Sequence, residues 1–334
     1  MLTAILFILM LLILVIPHEL GHFIMAKINH VQVNEFSVGM GPLIYQKQKG
    51  ETMYSIRLLP LGGYCAMEGE DEESNNPRAF SNKSAVQKIS VLLAGVMMNV
   101  LIALIIISCV MFKSGVPTNV LASGDVDSPA MQAGLLAGDE IVSIEGQETR
   151  NWTDTIVRLS HYDGKDTIEV TVKRDGAIKN FNITPTYDTE REQYVIGIVS
   201  AVSENPLKVI PYSITYTKNL NTAIIKSFVM LFTGKLSKDD VSGPVGMVKI
   251  VNSTKSYGIE TYLMLIAIVS LNLAIFNIIP FPALDGGRVL FVLIRAITGN
   301  AISDELEGTF HVVGFLLLIG LFIFITINDV INLF

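Results

Sequence analysis

Hydrophobic positions in this 334-residue chain gather into four long runs, with polar residues filling the intervals. Met1–Pro17 carries no charge and continues at helical periodicity through His18 to Ala26. Ile89–Phe112 is a charge-free run of 24 residues. Tyr262–Leu284 is a third run, and Val312–Asn328 is a fourth that Gly308–His311 can extend. A helix needs about 20 apolar residues to cross the hydrocarbon core, so the pattern predicts four transmembrane helices. The first run has neither a basic n-region nor a small-x-small site, and it is read as a span rather than a cleaved signal.

Between the second and third runs the pattern changes period. Thr167–Lys173 and Asn180–Thr184 alternate as half-buried strands do, with Gly-rich turns between such segments. A mixed α/β domain is expected over 116–201. A connector over 202–261 follows. Its Leu220, Ile224, Phe228 and Leu231 recur at helical spacing, which predicts a helix over Ser213–Thr233 that packs on the domain or lies at the interface rather than crossing. Residues 1–112 and 262–334 form the membrane portion. In the first polar loop, Leu43–Lys47 and Thr52–Leu58 flank Lys49-Gly50-Glu51 and predict a β-hairpin.

Composition agrees with a chain partly solvated by lipid. Charged residues make up 16%, about 30 fewer than an ordinary soluble domain of this length would carry. A net charge of -7 leaves no basic footprint for nucleic acid. Cys65 and Cys109 are too few for a disulfide scaffold or a metal knuckle. Lys27, Lys83 and Lys88 hug the ends of the first loop, which places that loop in the cytosol and the N-terminus and the α/β domain outside.

The few polar groups inside the apolar runs carry the chemistry. His18-Glu-Leu-Gly-His22 sets two imidazoles at i and i+4, on one helical face, where both reach one metal ion. Glu19 sits beside them as a base for water. Zinc with three protein ligands and one open position lowers the pKa of such a water to about 7. A pair of packed core histidines is the bland alternative, but ionisable groups in a span are costly and usually functional. His30 and His161 read as surface residues, and His311 as interfacial.

Depth suggests the third ligand. Eighteen helical residues put His18 about 27 Å from the outer end. The third helix points the same way and ends near Pro280, so Asp285 follows at similar depth. Irregular backbone there must be buried in protein or line a wet cavity. A plain Asp-Gly turn is the other reading of Asp285. Glu35, Glu68, Glu70, Glu72, Glu73 and Asp304 lie on loops and compete less well. A receptor would need no base between the histidines, and a metal transporter would need several ligand clusters along a path.

His18-Glu-Leu-Gly-His22 in a first span, followed by Asn277-x-x-Pro-x-Pro-x-Leu-Asp285-Gly, resembles the bacterial site-2 proteases, which are zinc intramembrane metalloproteases. The resemblance covers essentially the whole chain. The nearest branch is the RseP/RasP type, with an extracytoplasmic PDZ domain between helices two and three. It implies that His18, His22 and Asp285 bind zinc and that Glu19 is the catalytic base. It implies that Asn277 positions substrate or active site. It also implies that the hairpin re-enters the membrane and receives substrate as an added strand on Met53, Tyr54, Ser55, Ile56, Arg57 and Leu58. Partners would be transmembrane helices of membrane proteins in the bacterial inner membrane, such as anti-sigma factors or signal-peptide remnants, with PDZ contact to substrate or an upstream-cleaved product. The active site would lie near the cytosolic side.

Further segments share the likeness. Ala94-Gly-Val-Met-Met-Asn99 resembles the family's Ala-Gly-Pro-x-x-Asn signature, with Val96 in place of the proline, so helix two is expected to run straighter. Asn99 and Asn272 read as packing glue between helices. Ser128-Pro, Ala133-Gly-Leu135, Gly138-Asp139 and Ile141-x-x-Ile144-x-Gly146 resemble a single PDZ domain, with Ile141 and Ile144 in a buried strand. Ser242-Gly-Pro-Val-Gly246 is expected to shape the return to helix three. The acidic run Glu68–Glu73 reads as a solvated cytosolic loop.

Overall fold

The computed structural model describes residues 1–70, 74–123, 127–160, 167–188, 193–234, 243–299 and 304–331. His161, Ser242 and residues 71–73 lie outside them. The chain forms two compact units, one of residues 1–107 with 220–334 and one of residues 108–219.

In the first unit, α1 (Leu2–Ile28) runs unbroken through Pro17 and the His-Glu-x-x-His segment. β1 (Val33–Lys49) and β2 (Thr52–Met67) follow, and α2 (Ala85–Ser114) is continuous across Val96. Later come α7 (Ile259–Ile278), α8 (Asp285–Thr298) and α9 (Asp304–Ile331). Among the described residues, four helices are long and apolar enough to cross a membrane: Leu2–Ile28, Ala85–Ser114, Ile259–Ile278 and Leu306–Ile331. The third is shorter than its apolar run, because the chain leaves the helix before Pro280. On α9, Phe315, Leu316, Leu317, Phe322 and Phe324 are all exposed, a surface that only lipid or another apolar partner can solvate.

The hairpin is longer than the sequence pattern indicates. Tyr45–Gln48 face Met53–Ile56, as expected around the Gly50-Glu51 turn. The same Met53–Ile56 also face Glu35–Val38, which in turn face Gly63–Ala66. Positive φ at Gly39 (89°) and Gly41 (79°) lets β1 double back. Within the expected receiving segment Met53–Leu58, the first four residues are thus interior to the sheet. Met53–Ile56 have strand neighbours on both sides, and their peptide groups are not free to accept another strand. The Arg57 side chain is also engaged, by Glu35 at 2.9 Å and by the Gly41 carbonyl at 3.0 Å. Among the described residues, Gly63–Ala66 pair on one side only, with Glu35–Val38.

In the second unit, β3 (Val116–Leu121), α3 (Pro129–Gln132), β4 (Glu140–Ile144), β5 (Gln147–Glu148), α4 (Trp152–Ser160), β6 (Ile168–Arg174), β7 (Ala177–Ile183), β8 (Thr186–Asp188), β9 (Gln193–Val195) and β10 (Ser200–Ser203) form the expected mixed α/β domain. The main sheet runs β10-β3-β4-β6-β7, with β5 on β4. Its core holds Leu135, Ile141, Ile144, Val170 and Val172, each at most 3% exposed. Ser128 caps α3 by accepting the Met131 N–H, with Pro129 in the first turn. The connector helix α5 (Val209–Phe232) is not among the candidate spans. α6 (Pro244–Thr254) starts where Asp329 of α9 accepts the Gly243 and Gly246 N–H groups at 3.1 and 2.7 Å.

The Gly-Asp step of this domain has a structural reason. Asp139 is 1% exposed and takes Arg174 Nε and Nη2, both at 2.6 Å, and the Leu136 N–H at 2.9 Å. Burial alone would raise its pKa. Arg174 and the Leu136 amide outweigh burial and hold the carboxyl below its ordinary value. The stabilisation is then complete above the unfolded carboxylate pKa of about 3.9 and is lost as pH falls through the lower folded value. Asp139→Asn should raise amide exchange of β4 and β6 in the full chain roughly 10–100-fold at pH 7. The gap between variant and wild type should narrow as pH drops below about 4. An unchanged exchange pattern at pH 7 would refute the role.

Candidate metal centre

α1 places His18 and His22 one turn apart, facing α2. The close crossing of the two helices depends on glycine. A Cβ on Gly21 would lie 2.3 Å from the Ala94 carbonyl oxygen, and one on Gly95 would lie 2.3 Å from His22 Nε2. The imidazoles thus lie on the bare backbone of α2.

Asp285 arrives by a tight reversal. α7 ends at Ile278, and Phe281 N–H bonds to the Ile279 carbonyl at 2.7 Å. Ala283 takes φ of 72°, a strained value for a residue with a Cβ. Its N–H donates to His311 Nδ1 at 2.8 Å. Asp285 then opens α8. Gly286 and Gly287 are required there, since Cβ atoms would lie 2.2 Å from the Ile278 oxygen and 2.1 Å from the Phe281 oxygen.

These elements bring three side chains together. His18 Nε2 lies 3.2 Å from His22 Nε2. Asp285 Oδ2 lies 3.4 Å from His18 Nε2 and 3.5 Å from His22 Nε2. A tetrahedral zinc with bonds of about 2.0–2.1 Å separates its ligand atoms by roughly 3.3–3.4 Å. Asp285 Oδ2 is buried and has no hydrogen-bond partner among the described residues, which a cation between the three groups would remedy. The donor set and its spacing fit zinc.

The competing acids are committed elsewhere. Glu35 holds Ser55 and Arg57, Glu68 holds Asn34 and Ser74, and Glu70 pairs with Arg288. The side chain of Asp304 and residues Glu72 and Glu73 lie outside the described ones. Glu19 leaves α1 beside the ligands. A Cβ on Gly63 of β2 would lie 3.4 Å from Glu19 Cγ, so this strand of the hairpin passes over Glu19. Asn277 sits half-buried in the last turn of α7, and Asn272 bonds to the Ile268 carbonyl of its own helix.

Two residues near the site escaped the sequence reading. Asn99, read as packing glue, is fully buried with Nδ2 3.3 Å from His18 Nδ1. His311, read as interfacial, braces the strained turn two residues before Asp285. A polar side chain at helical spacing below Ala94-Gly95 was the signal for the first. The second had none, because its partner is backbone. His30 is exposed as expected.

The family model for Peptidase family M50 matches residues 6–321. The chain belongs to peptidase family M50. It is a zinc metalloendopeptidase of the site-2 protease type. A Clostridium acetobutylicum protein, provisionally named a zinc metalloprotease, is 36% identical and covers 96% of this chain and 94% of its own. The Bacillus subtilis regulator of sigma-W protease RasP is 29% identical, covering 99% of each chain. The solved PDZ domain of the SdrC-like protein from Listeria innocua shares 25% identity over 26% of this chain and 96% of its own, with a TM-score of 0.23. Among its described residues the M50 chain combines four helices long and apolar enough to cross a membrane with an inserted domain of mixed α/β structure.

Proposed function

We propose that this M50 protease hydrolyses peptide bonds within transmembrane segments at a zinc held by His18, His22 and Asp285. The observation that carries the reading is the triangle of ligand atoms with 3.2, 3.4 and 3.5 Å edges beside Glu19. When bound, zinc polarises the scissile carbonyl and acidifies a water. Glu19 takes that water's proton and returns it to the leaving amine. His22 Nδ1–H donates to the Val91 carbonyl at 2.9 Å, which fixes the ring and presents its Nε2 lone pair.

A substrate helix hides its peptide groups in its own hydrogen bonds and must be unwound before cleavage. The edge strand Gly63–Ala66 supplies partners for the freed backbone, and its closeness to Glu19 supports this segment as the receiving edge. Asn277, at the end of α7, orients the bound segment. The lysines flanking residues 27–88 support a cytosolic loop and a site near the cytosolic face, with the PDZ-like domain outside. Substrates are single-span proteins already trimmed on the outer side, in the manner of anti-sigma factors or signal-peptide remnants. The PDZ-like domain excludes untrimmed ones or contacts the trimmed end.

Purified chain in vesicles should cut a panel of trimmed transmembrane segments, lose all cleavage on zinc chelation and regain it with added zinc. Segments with a bulky folded outer domain should be cut more slowly. Cleavage that survives complete chelation would overturn the proposal.

A further inference from the structure

Val91, Gly95 and Asn99 recur every four residues on α2 and share one face. That face meets both histidines. Gly95 lies against the two rings, and Val91 and Asn99 hold their far nitrogens. For His22 the partner is a backbone carbonyl, an acceptor that cannot change. For His18 the partner is an amide, which can present either end.

Asn99 is 0% exposed, and its Oδ1 has no partner among the described residues. Its backbone carbonyl accepts the Ser270 hydroxyl of α7 at 2.9 Å, so the α2 backbone is pinned there. The end facing His18 is Nδ2, 3.3 Å from Nδ1. A donor there requires a bare Nδ1 and therefore a proton on Nε2. Yet Nε2 is the atom aimed at His22 and Asp285. To give its lone pair to a cation, His18 must carry its proton on Nδ1, and that N–H needs an acceptor. A half-turn of the amide exchanges its two ends within the same volume and turns Oδ1 onto the ring.

We propose that Asn99 is the positioning residue of His18: in the metal-loaded enzyme its Oδ1 accepts the His18 Nδ1–H and fixes the ligating tautomer and ring plane. The inference rests on His18 being a ligand, as argued above. It assigns unequal supports to the two histidines, a fixed carbonyl for His22 and a switchable amide for His18. Removal of such an outer partner typically weakens metal binding 10–100-fold.

The test uses the full-length purified chain. Zinc affinity, read by competition with a chelator, and the cobalt(II) absorption spectrum are compared for wild type, Asn99→Leu, Asn99→Asp and His18→Ala. Leu keeps the volume without an acceptor and should weaken zinc roughly 10–100-fold and alter the cobalt bands. Asp is an obligate acceptor and should bind zinc at least as tightly as wild type, with wild-type bands. Wild-type affinity in Asn99→Leu, with His18→Ala defective, overturns this inference alone. Wild-type affinity in His18→Ala overturns the ligand reading itself. If the Leu variant does not fold, Asn99→Asp decides, and a tenfold loss there refutes the acceptor role.

Discussion

Glu19→Gln should lower cleavage of a transmembrane reporter by about 10²–10⁴-fold while leaving zinc content at the wild-type level. Gln has the shape of Glu and keeps its place on α1 between the histidines, so the ligand triangle is undisturbed. What it loses is the ability to take a proton from water. The position admits no ready substitute. The other described carboxylates nearest in sequence to the site are engaged, Glu35 with Ser55 and Arg57 and Glu70 with Arg288. Asp285 faces His18 and His22 at 3.4 and 3.5 Å. Reporter cleavage and metal content measured on the same preparations separate the two effects. A variant that cuts as fast as wild type would remove Glu19 from the mechanism. A variant that loses zinc would show that Glu19 supports the site rather than acting in it.

Much of this site was legible because it is local. His18 and His22 meet through helical periodicity alone, and a charge-poor background made them visible. Asp285 could be reached by counting helical rise, since the spans restrict depth to one coordinate. The strands over 168–174 and 177–183 followed from alternation, and Ile141 and Ile144, placed in a buried strand by the likeness to PDZ domains, are 1% and 3% exposed. The failures are non-local. Alternation found the pairing of Tyr45–Gln48 with Met53–Ile56 but not the return of Glu35–Val38 to the same strand. Asp285-Gly offered a plain turn as its other reading, yet α8 begins there, because Gly286 and Gly287 allow backbone to lie on backbone. Asn99 was visible as a polar residue in lipid, but its aim at His18 depends on how closely two helices cross. That closeness is set by residues with no side chain, and an apolar pattern does not report it.

The glycine at that crossing carries the second large prediction. Gly95→Ala should strip the site of zinc and reduce cleavage by at least about 10²-fold, the cost of misplacing reacting groups by roughly an ångström. A Cβ there would lie 2.3 Å from His22 Nε2, 2.7 Å from His22 Cε1 and 2.8 Å from His18 Cε1. No relaxation leaves the site intact. Turning the rings away breaks the His22–Val91 hydrogen bond, and spreading the helices pulls His18 from Asn99 and both histidines from Asp285. The helix itself should not suffer, since Ala is a better helix former than Gly by about 1 kcal/mol. Helicity measured by circular dichroism should therefore stay at the wild-type level while bound zinc disappears. Gly320→Ala on α9 is the matched control, because a Cβ there meets nothing within 4 Å. It should keep both zinc and turnover. If Gly95→Ala retains zinc and cuts at the wild-type rate, the two imidazoles do not rest on α2 as the structure has them, and the tautomer argument for Asn99 loses its geometry with them.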